Sequence, residues 1–217
     1  MSEFNILFDL DGTLVNSLPD IAGVVNLVRD MRGYQPLSEE EVRVHIGKGV
    51  ENLVRGTFPE ILPSQRPMFV EDFKKVYYET PSLGGALYPG VAEGLKRLRQ
   101  ISGIKLAVVT NKPTIAAERT LSHYLPDLAF DEIAGPETVS AKKPSPVHLL
   151  EVIDRLKVPK ETCWFIGDDE VDLECAAGAR VRFLGASYGF GAVMVPKQIA
   201  LGTFNEIWDK IPALAKV

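Results

Sequence analysis

Phe4-Asn5-Ile6-Leu7-Phe8-Asp9-Leu10-Asp11-Gly12-Thr13-Leu14 carries an apolar run directly into two acids and a glycine. A short run of this kind reads as a strand over 4–10, buried on both faces. Asp9 and Asp11 fall one residue apart at its end, where the period of two turns both side chains the same way. Two carboxylates set together repel unless a cation, a shared proton or donor groups compensate. Gly12 lets the backbone turn and approach a ligand closely. Taken by itself, the cluster has a plain alternative: a strand end followed by an Asp-Gly turn.

The same pattern recurs outward along the chain. Apolar runs at 105–110 (KLAVVT) and 163–167 (CWFIG) predict two more buried strands, and weaker ones are expected near 130–134 and 182–186. Helical spacing fills the intervals 90–101, 114–124, 146–156 and 171–179, and returns at 204–214. Near-continuous strands alternating with helices predict a parallel sheet covered on both faces. Segment 17–83 breaks the alternation and contains no convincing strand. Helices are predicted there over 18–31, 50–58 and 65–78, and another runs from a Ser38/Glu41 capping box toward Ile46. The expected fold is α/β: a three-layer, Rossmann-like parallel sheet core from 1–16 and 84–217. An all-helical cap domain, 17–83, is inserted after the first strand and returns through a linker at 81–85.

A chain of 217 residues, 46% hydrophobic and 24% charged, is long enough for one core carrying such an insertion. Its net charge of −5 argues against a general nucleic-acid binder, which needs a basic face. A locally positive pocket for a small anion remains compatible with that charge. Cys163 and Cys175 match no zinc spacing and read as buried thiols. The first residues lack a basic leader region, and no apolar stretch is long enough for a bilayer. The expectation is a cytoplasmic protein without membrane or nucleic-acid partners, monomeric or homodimeric.

Three further clusters carry chemistry. In Val109-Thr110-Asn111-Lys112-Pro113 a hydroxyl ends a strand, ahead of a helix start; with backbone N–H groups it can cradle phosphate oxygens, or simply cap the helix. In Lys142-Lys143-Pro144-Ser145-Pro146 two prolines restrain a lysine that can neutralise an anion, or that sits in a solvated turn. In Gly167-Asp168-Asp169-Glu170-Val171-Asp172 acids follow a third strand, and Asp168 and Asp172 share a helix face. Acids favour a helix N-terminus, but so many oxygens also suit Mg²⁺. Each cluster is ambiguous by itself. Together they supply a nucleophile, a proton-transfer acid, a hydroxyl, a fixed cation and a metal-binding acid, the parts of a phosphoryl-transfer site.

These motifs, D-x-D-G-T-L at Asp9–Leu14, T-N-K at Thr110–Lys112, K-P-x-P at Lys143–Pro146 and G-D-x-x-x-D at Gly167–Asp172, resemble those of the haloacid dehalogenase-like hydrolase superfamily in their order. Ile46-Gly47-Lys48-Gly49 is similar to the cap loop of its phosphoglycolate phosphatase-like branch. The resemblance implies Asp9 as nucleophile, Asp11 as acid and base, and Lys143 as the catalytic cation. It implies Mg²⁺ on Asp9, the Asp11 backbone carbonyl and Asp168. Substrate contacts would come from Thr110, Asn111, Gly12, Thr13 and Lys48, with Asn111 supporting the loop or binding a phosphate oxygen. Asp172 would orient Lys143 or a metal-bound water. Asp169 departs from the small hydroxyl residue usual there, leaving open a second metal ligand or a bystander.

An acid at Asp11 points to a phosphatase or phosphomutase within the superfamily, since dehalogenases do not need one. The expected reaction is Mg²⁺-dependent hydrolysis of a small phosphomonoester through an aspartyl phosphate. A sugar phosphomutase, a phosphonate hydrolase using Lys48, and a catalytically silent binding module are the rivals. Arg55 is a lesser candidate for the cleft. His45 reads as structural, His123 and His148 as surface or core-edge residues, and Tyr188-Gly189-Phe190-Gly191 as an ordinary loop at the edge of the site.

Overall fold

The computed structural model describes residues 4–80, 82–191 and 193–214. Pro81, at the start of the expected linker, and the ends of the 1–16 and 84–217 segments lie outside them. The first part of the chain forms β1 (Asn5–Phe8), β2 (Val15–Asn16), α1 (Leu18–Met31), α2 (Glu39–Arg43), α3 (Val50–Thr57), α4 (Arg66–Glu79) and β3 (Ala86–Leu87). The remainder forms α5 (Val91–Arg99), β4 (Leu106–Val109), α6 (Thr114–Tyr124), β5 (Glu132–Ala134), α7 (Pro146–Leu156), β6 (Cys163–Gly167), α8 (Glu170–Ala179), β7 (Arg182–Ala186), β8 (Ala200–Leu201) and α9 (Ile207–Lys210).

The main sheet runs β5-β4-β1-β6-β7-β8, every pair parallel. Period-two alternation sends Ile6 and Phe8 into one buried cluster with Leu106, Val108 and Ile166, and with Leu95 and Leu121 of α5 and α6. Leu7 enters the opposite cluster with Ala107, Val109 and Phe165, and with Leu149 and Cys175 of α7 and α8. Both faces of β1 are covered, which is why its sequence is a continuous apolar run. β4 lies on one side of β1 and β6 on the other, and Phe8 is in register with both Val108 and Ile166. The loops after these three strands therefore leave the sheet at one height and meet at the switch point, where ligands of open α/β sheets bind.

β2 and β3 pair antiparallel, Val15 with Leu87 and Asn16 with Ala86, and the helices α1–α4 lie between them. Two residues per strand are too few to show a period, so neither strand is legible in the sequence; the same holds for β8. The four helices pack on their own cluster, which includes Val25, Val28, Val54, Phe58 and Phe69. Asp20 in α1 anchors the returning chain: Oδ1 accepts from Leu83 N at 2.6 Å and Gly85 N at 2.9 Å, and Oδ2 accepts from Tyr124 Oη at 2.9 Å. Burial opposes the charge of Asp20, but these bonds and that from Ser82 outweigh it and hold its carboxyl below the usual range.

One expected element is corrected. The helix predicted over 204–214 is a single 3₁₀ turn, Phe204–Glu206, followed by the short α9. Pro212 lacks an N–H and pushes Ile211 into extended backbone, φ −98° and ψ 104°, so the helix cannot continue. Among the described residues no helix is long and apolar enough to cross a membrane.

Candidate active site

Asp9 follows β1 directly, and its carboxylate is only 9% exposed. Lys143, in the loop between β5 and α7, sets its Nζ 2.7 Å from Asp9 Oδ1 and 2.7 Å from Asp172 Oδ1. Asp172 lies in the first turn of α8, where its Oδ2 accepts from Asp169 N at 3.1 Å. Asp168 follows β6; its Oδ1 accepts from Thr13 Oγ1 at 3.1 Å and its Oδ2 from Gly191 N at 2.7 Å. Carboxylate oxygens of Asp9, Asp168 and Asp172 lie within 4.8 Å of one another.

Burial is costly for this group. It is the first cause that pushes the Asp9 carboxyl up to about 7, with repulsion from Asp172 next and attraction to Lys143 opposing both. Burial, then the charges of Asp9 and Asp172, raises Asp168 well above the carboxylate range. Burial also raises Asp172, against the pull of Lys143. The ammonium of Lys143 is disfavoured by burial as well, but Asp172 and Asp9 outweigh that and hold its proton tightly. Among the described residues one ammonium thus pairs with two of three buried carboxylates, and the third, Asp168, meets only neutral donors. An all-oxygen set with surplus negative charge fits a hard divalent cation such as Mg²⁺.

Gly12 makes this approach possible. At φ +89° its backbone takes a conformation that side chains avoid, and a Cβ there would overlap the Asp168 carboxylate. Gly12 and Thr13 themselves do not line the cavity. Gly12 N donates to Val15 O at 2.8 Å, and the Thr13 hydroxyl is committed to Asp168. Both residues shape the turn that carries Asp11.

A cavity of about 850 Å³ opens above the carboxylates and is lined by Asp9, Asp11, Thr110, Asn111, Lys143 and Asp168 and by Lys48 from the loop between α2 and α3. Both amide hydrogens of Asn111 are engaged, with Gly47 O at 2.9 Å and Lys143 O at 3.0 Å. Lys142 Nζ donates to Lys48 O at 3.1 Å, and Arg43 Nη1 donates to Phe190 O at 3.0 Å. Helix α2 and the loop after it are thus bonded to the loops that hold the carboxylates. Lys48 is exposed at the cavity wall, whereas Arg55 pairs with Asn52 and stays out of the lining. Asp169 accepts from Val171 N at 3.0 Å as the N-cap of α8.

Several residues matter more here than their sequence context shows. Lys112 is buried with its Nζ 2.9 Å from Asp11 Oδ1, although lysines are exposed by default. His148 is not at the surface or core edge: it is fully buried, accepting from Lys143 N at 3.3 Å through Nδ1, with Nε2 3.2 Å from Ala134 O. The helical spacing of α7 gave no sign that this position faces the Lys143 loop. Gly191 packs on Asp168 so tightly that a Cβ would meet the carboxylate. The paired glycines at 189 and 191 were the available signal for that approach.

The haloacid dehalogenase-like hydrolase model matches residues 6–186. A phosphoglycolate phosphatase of Rhodobacter capsulatus is 35% identical over 193 residues, covering 85% of this chain and 84% of that protein. The crystal structure of a predicted phosphoglycolate phosphatase from Haemophilus somnus 129PT superposes with a TM-score of 0.85 at 30% identity, covering 96% and 98% of the two chains. CbbY from Rhodobacter sphaeroides, solved in complex with phosphate, matches with a TM-score of 0.73 at 26% identity over 95% and 96%. Strand tips converging on a carboxylate–lysine cluster, together with these likenesses, identify a phosphoric monoester hydrolase, and the chain belongs to the haloacid dehalogenase-like hydrolase family, in its phosphoglycolate phosphatase-like branch.

Proposed function

We propose that this phosphatase is Mg²⁺-dependent, acts on a small anionic phosphomonoester of the phosphoglycolate type, and works through phosphoryl transfer to Asp9. The observation that carries the reading is the buried Asp9 carboxylate, fixed by Lys143 at 2.7 Å on the floor of the cavity. Asp9 attacks phosphorus as the bond to the leaving alcohol breaks, and Asp11 gives that alcohol its proton. Asp11 then takes a proton from the water that attacks the aspartyl phosphate, releasing phosphate and restoring Asp9. Lys143 favours the ionised form of Asp9 against the burial that opposes it and orients the carboxylate, and Asp172 keeps Lys143 in place. Asp9, Asp168 and the Asp11 carbonyl would hold Mg²⁺, which supplies charge shielding between two anions. Thr110 lines the same cavity, and its hydroxyl, which accepts from Lys112 N at 3.1 Å, keeps its hydrogen for a phosphate oxygen. The engaged amide of Asn111 favours loop support over phosphate contact. Lys48 suits the far, anionic end of the ester. Seating of the cap loop excludes bulk water during the first transfer.

Phosphate release from phosphoglycolate, with a Mg²⁺ titration and chelator controls, tests this. Turnover should require Mg²⁺, and Asp9→Asn should lower it at least ~1,000-fold with the fold retained. A variant working within ~10-fold of the native enzyme would end the covalent route.

A further inference from the structure

Lys112 has no part in the reaction as described above, yet it is buried in the site. Its ammonium lies 2.9 Å from Asp11 Oδ1 and 3.2 Å from Oδ2, facing both oxygens. The ring of Tyr77 in α4 lies 4.5 Å from the same nitrogen. Ser17 Oγ donates to Asp11 Oδ1 at 2.6 Å, and Ser17 sits at the N-cap position of α1. Both side chains that fix Asp11 are therefore tied to the cap: one begins its first helix, and the other is backed by its last. Burying an ammonium is costly without a partner. A lysine that only closed the loop between β4 and α6 would gain by staying in solvent.

We propose that Lys112 is a positioning residue: it holds the Asp11 carboxyl where the leaving group departs and, through Tyr77, ties that hold to the seating of α4. The inference rests on Asp11 as the acid of the proposed reaction. The step itself is unchanged. The phosphorus–oxygen bond breaks toward the alcohol oxygen, that oxygen takes the Asp11 proton, and the resulting carboxylate is the one Lys112 faces.

Proton donation matters for an alkyl leaving group and little for p-nitrophenolate, which departs as an anion. That difference gives a readout that a merely structural role would not move. The test measures single-turnover ester cleavage, with saturation curves, on phosphoglycolate and p-nitrophenyl phosphate with Mg²⁺ present. Lys112→Met should slow maximal cleavage of phosphoglycolate by ~10–100-fold with little change in half-saturation, and that of p-nitrophenyl phosphate by less than ~3-fold. Tyr77→Leu should show the same selectivity at smaller size. Lys112→Gln, which keeps a polar side chain of similar reach, replaces Lys112→Met if the latter does not melt cooperatively. Equal losses on both esters, no loss, or a loss confined to half-saturation would overturn the role of Lys112. An unselective Tyr77→Leu would overturn the link to the cap. Asp11→Asn serves as the control. If it is unselective, the acid assignment fails; if it is selective and the Lys112 variants are not, only the present inference fails.

Discussion

Lys143 shows how much a single side chain decides in this site. Its Nζ bridges Asp9 and Asp172, both buried, and no other ammonium is bonded to either carboxylate among the described residues. Removing one partner of a buried ionic cluster leaves uncompensated charge. Lys143→Met should therefore destabilise the metal-free protein by about 3–5 kcal/mol at neutral pH. The sign of the pH dependence follows from the carboxylates. Asp9 already has its carboxyl raised from 3.8 to about 7, so the folded state holds a proton that the unfolded chain gives up across that window. Stability from this group falls as pH rises through the window, and more so once the ammonium is gone. Urea unfolding of native and variant protein should show a gap that is smaller at pH 5 than at pH 8. A constant gap would contradict the assignment of the burden to these carboxylates.

The informative element is α7 (Pro146–Leu156), because its first turn carries the support for the Lys143 loop. Ser145 caps it through Val147 N at 3.3 Å, and Pro146 occupies the N-terminal position that prolines favour. The apolar face of the helix, with Leu149, Val152 and Ile153, is buried against the sheet, and that same face carries His148 inward. The ring bridges Lys143 N and Ala134 O, which requires a neutral imidazole donating from Nε2. Burial first, and then the charge of Lys143, lowers its pKa from 6.5 to about 4. A group with a lowered pKa of this kind contributes stability above about 6.5 that is lost as pH falls toward 4. His148→Leu should cost about 1–3 kcal/mol at pH 7.5, since two buried backbone groups lose their partner. The deficit should narrow on acidification, because the native protein then loses what the variant never had. Chemical unfolding at pH 7.5 and pH 5 checks both points, and a deficit that widens toward pH 5 would refute the bridging role.

At the scale of the whole molecule, folding gathers acids from two strand tips and a helix into a cluster that the protein alone does not neutralise. A divalent cation held there, as proposed above, would add stability. Binding confined to the folded state adds about 2.7 kcal/mol at a hundred times Kd, or roughly 5–10 °C for a chain of this length. Protons compete for the same oxygens: Asp9 titrates near 7 and Asp168 is raised well above its ordinary range. The Mg²⁺-induced rise in Tm should therefore be large at pH 8 and small at pH 5. An equal rise at both, or none at either, would remove Mg²⁺ from this cluster.

The layered fold, the run of helices after the first strand and the strand tips of the candidate site were legible in the order of residues alone. They were so because burial leaves a periodic trace: continuous apolar runs for β1, β4 and β6, and helical spacing for α1 and α5–α8. That order also set Asp9 at the end of a strand, Asp168 just past another and Lys143 in a loop restrained by prolines. Which charges meet emerges once the chain is folded. Lys112 finds Asp11 across 101 positions, His148 turns under Lys143, and the glycines at 189 and 191 close over Asp168. No local pattern encodes these pairings, because they depend on the lateral order β5-β4-β1-β6-β7-β8, which differs from the order of the chain. The two-residue strands β2 and β3 and the early stop of α9 escaped for a related reason. The first two are too short to carry a period, and at α9 the backbone of one proline overrides an apolar spacing that runs on past it.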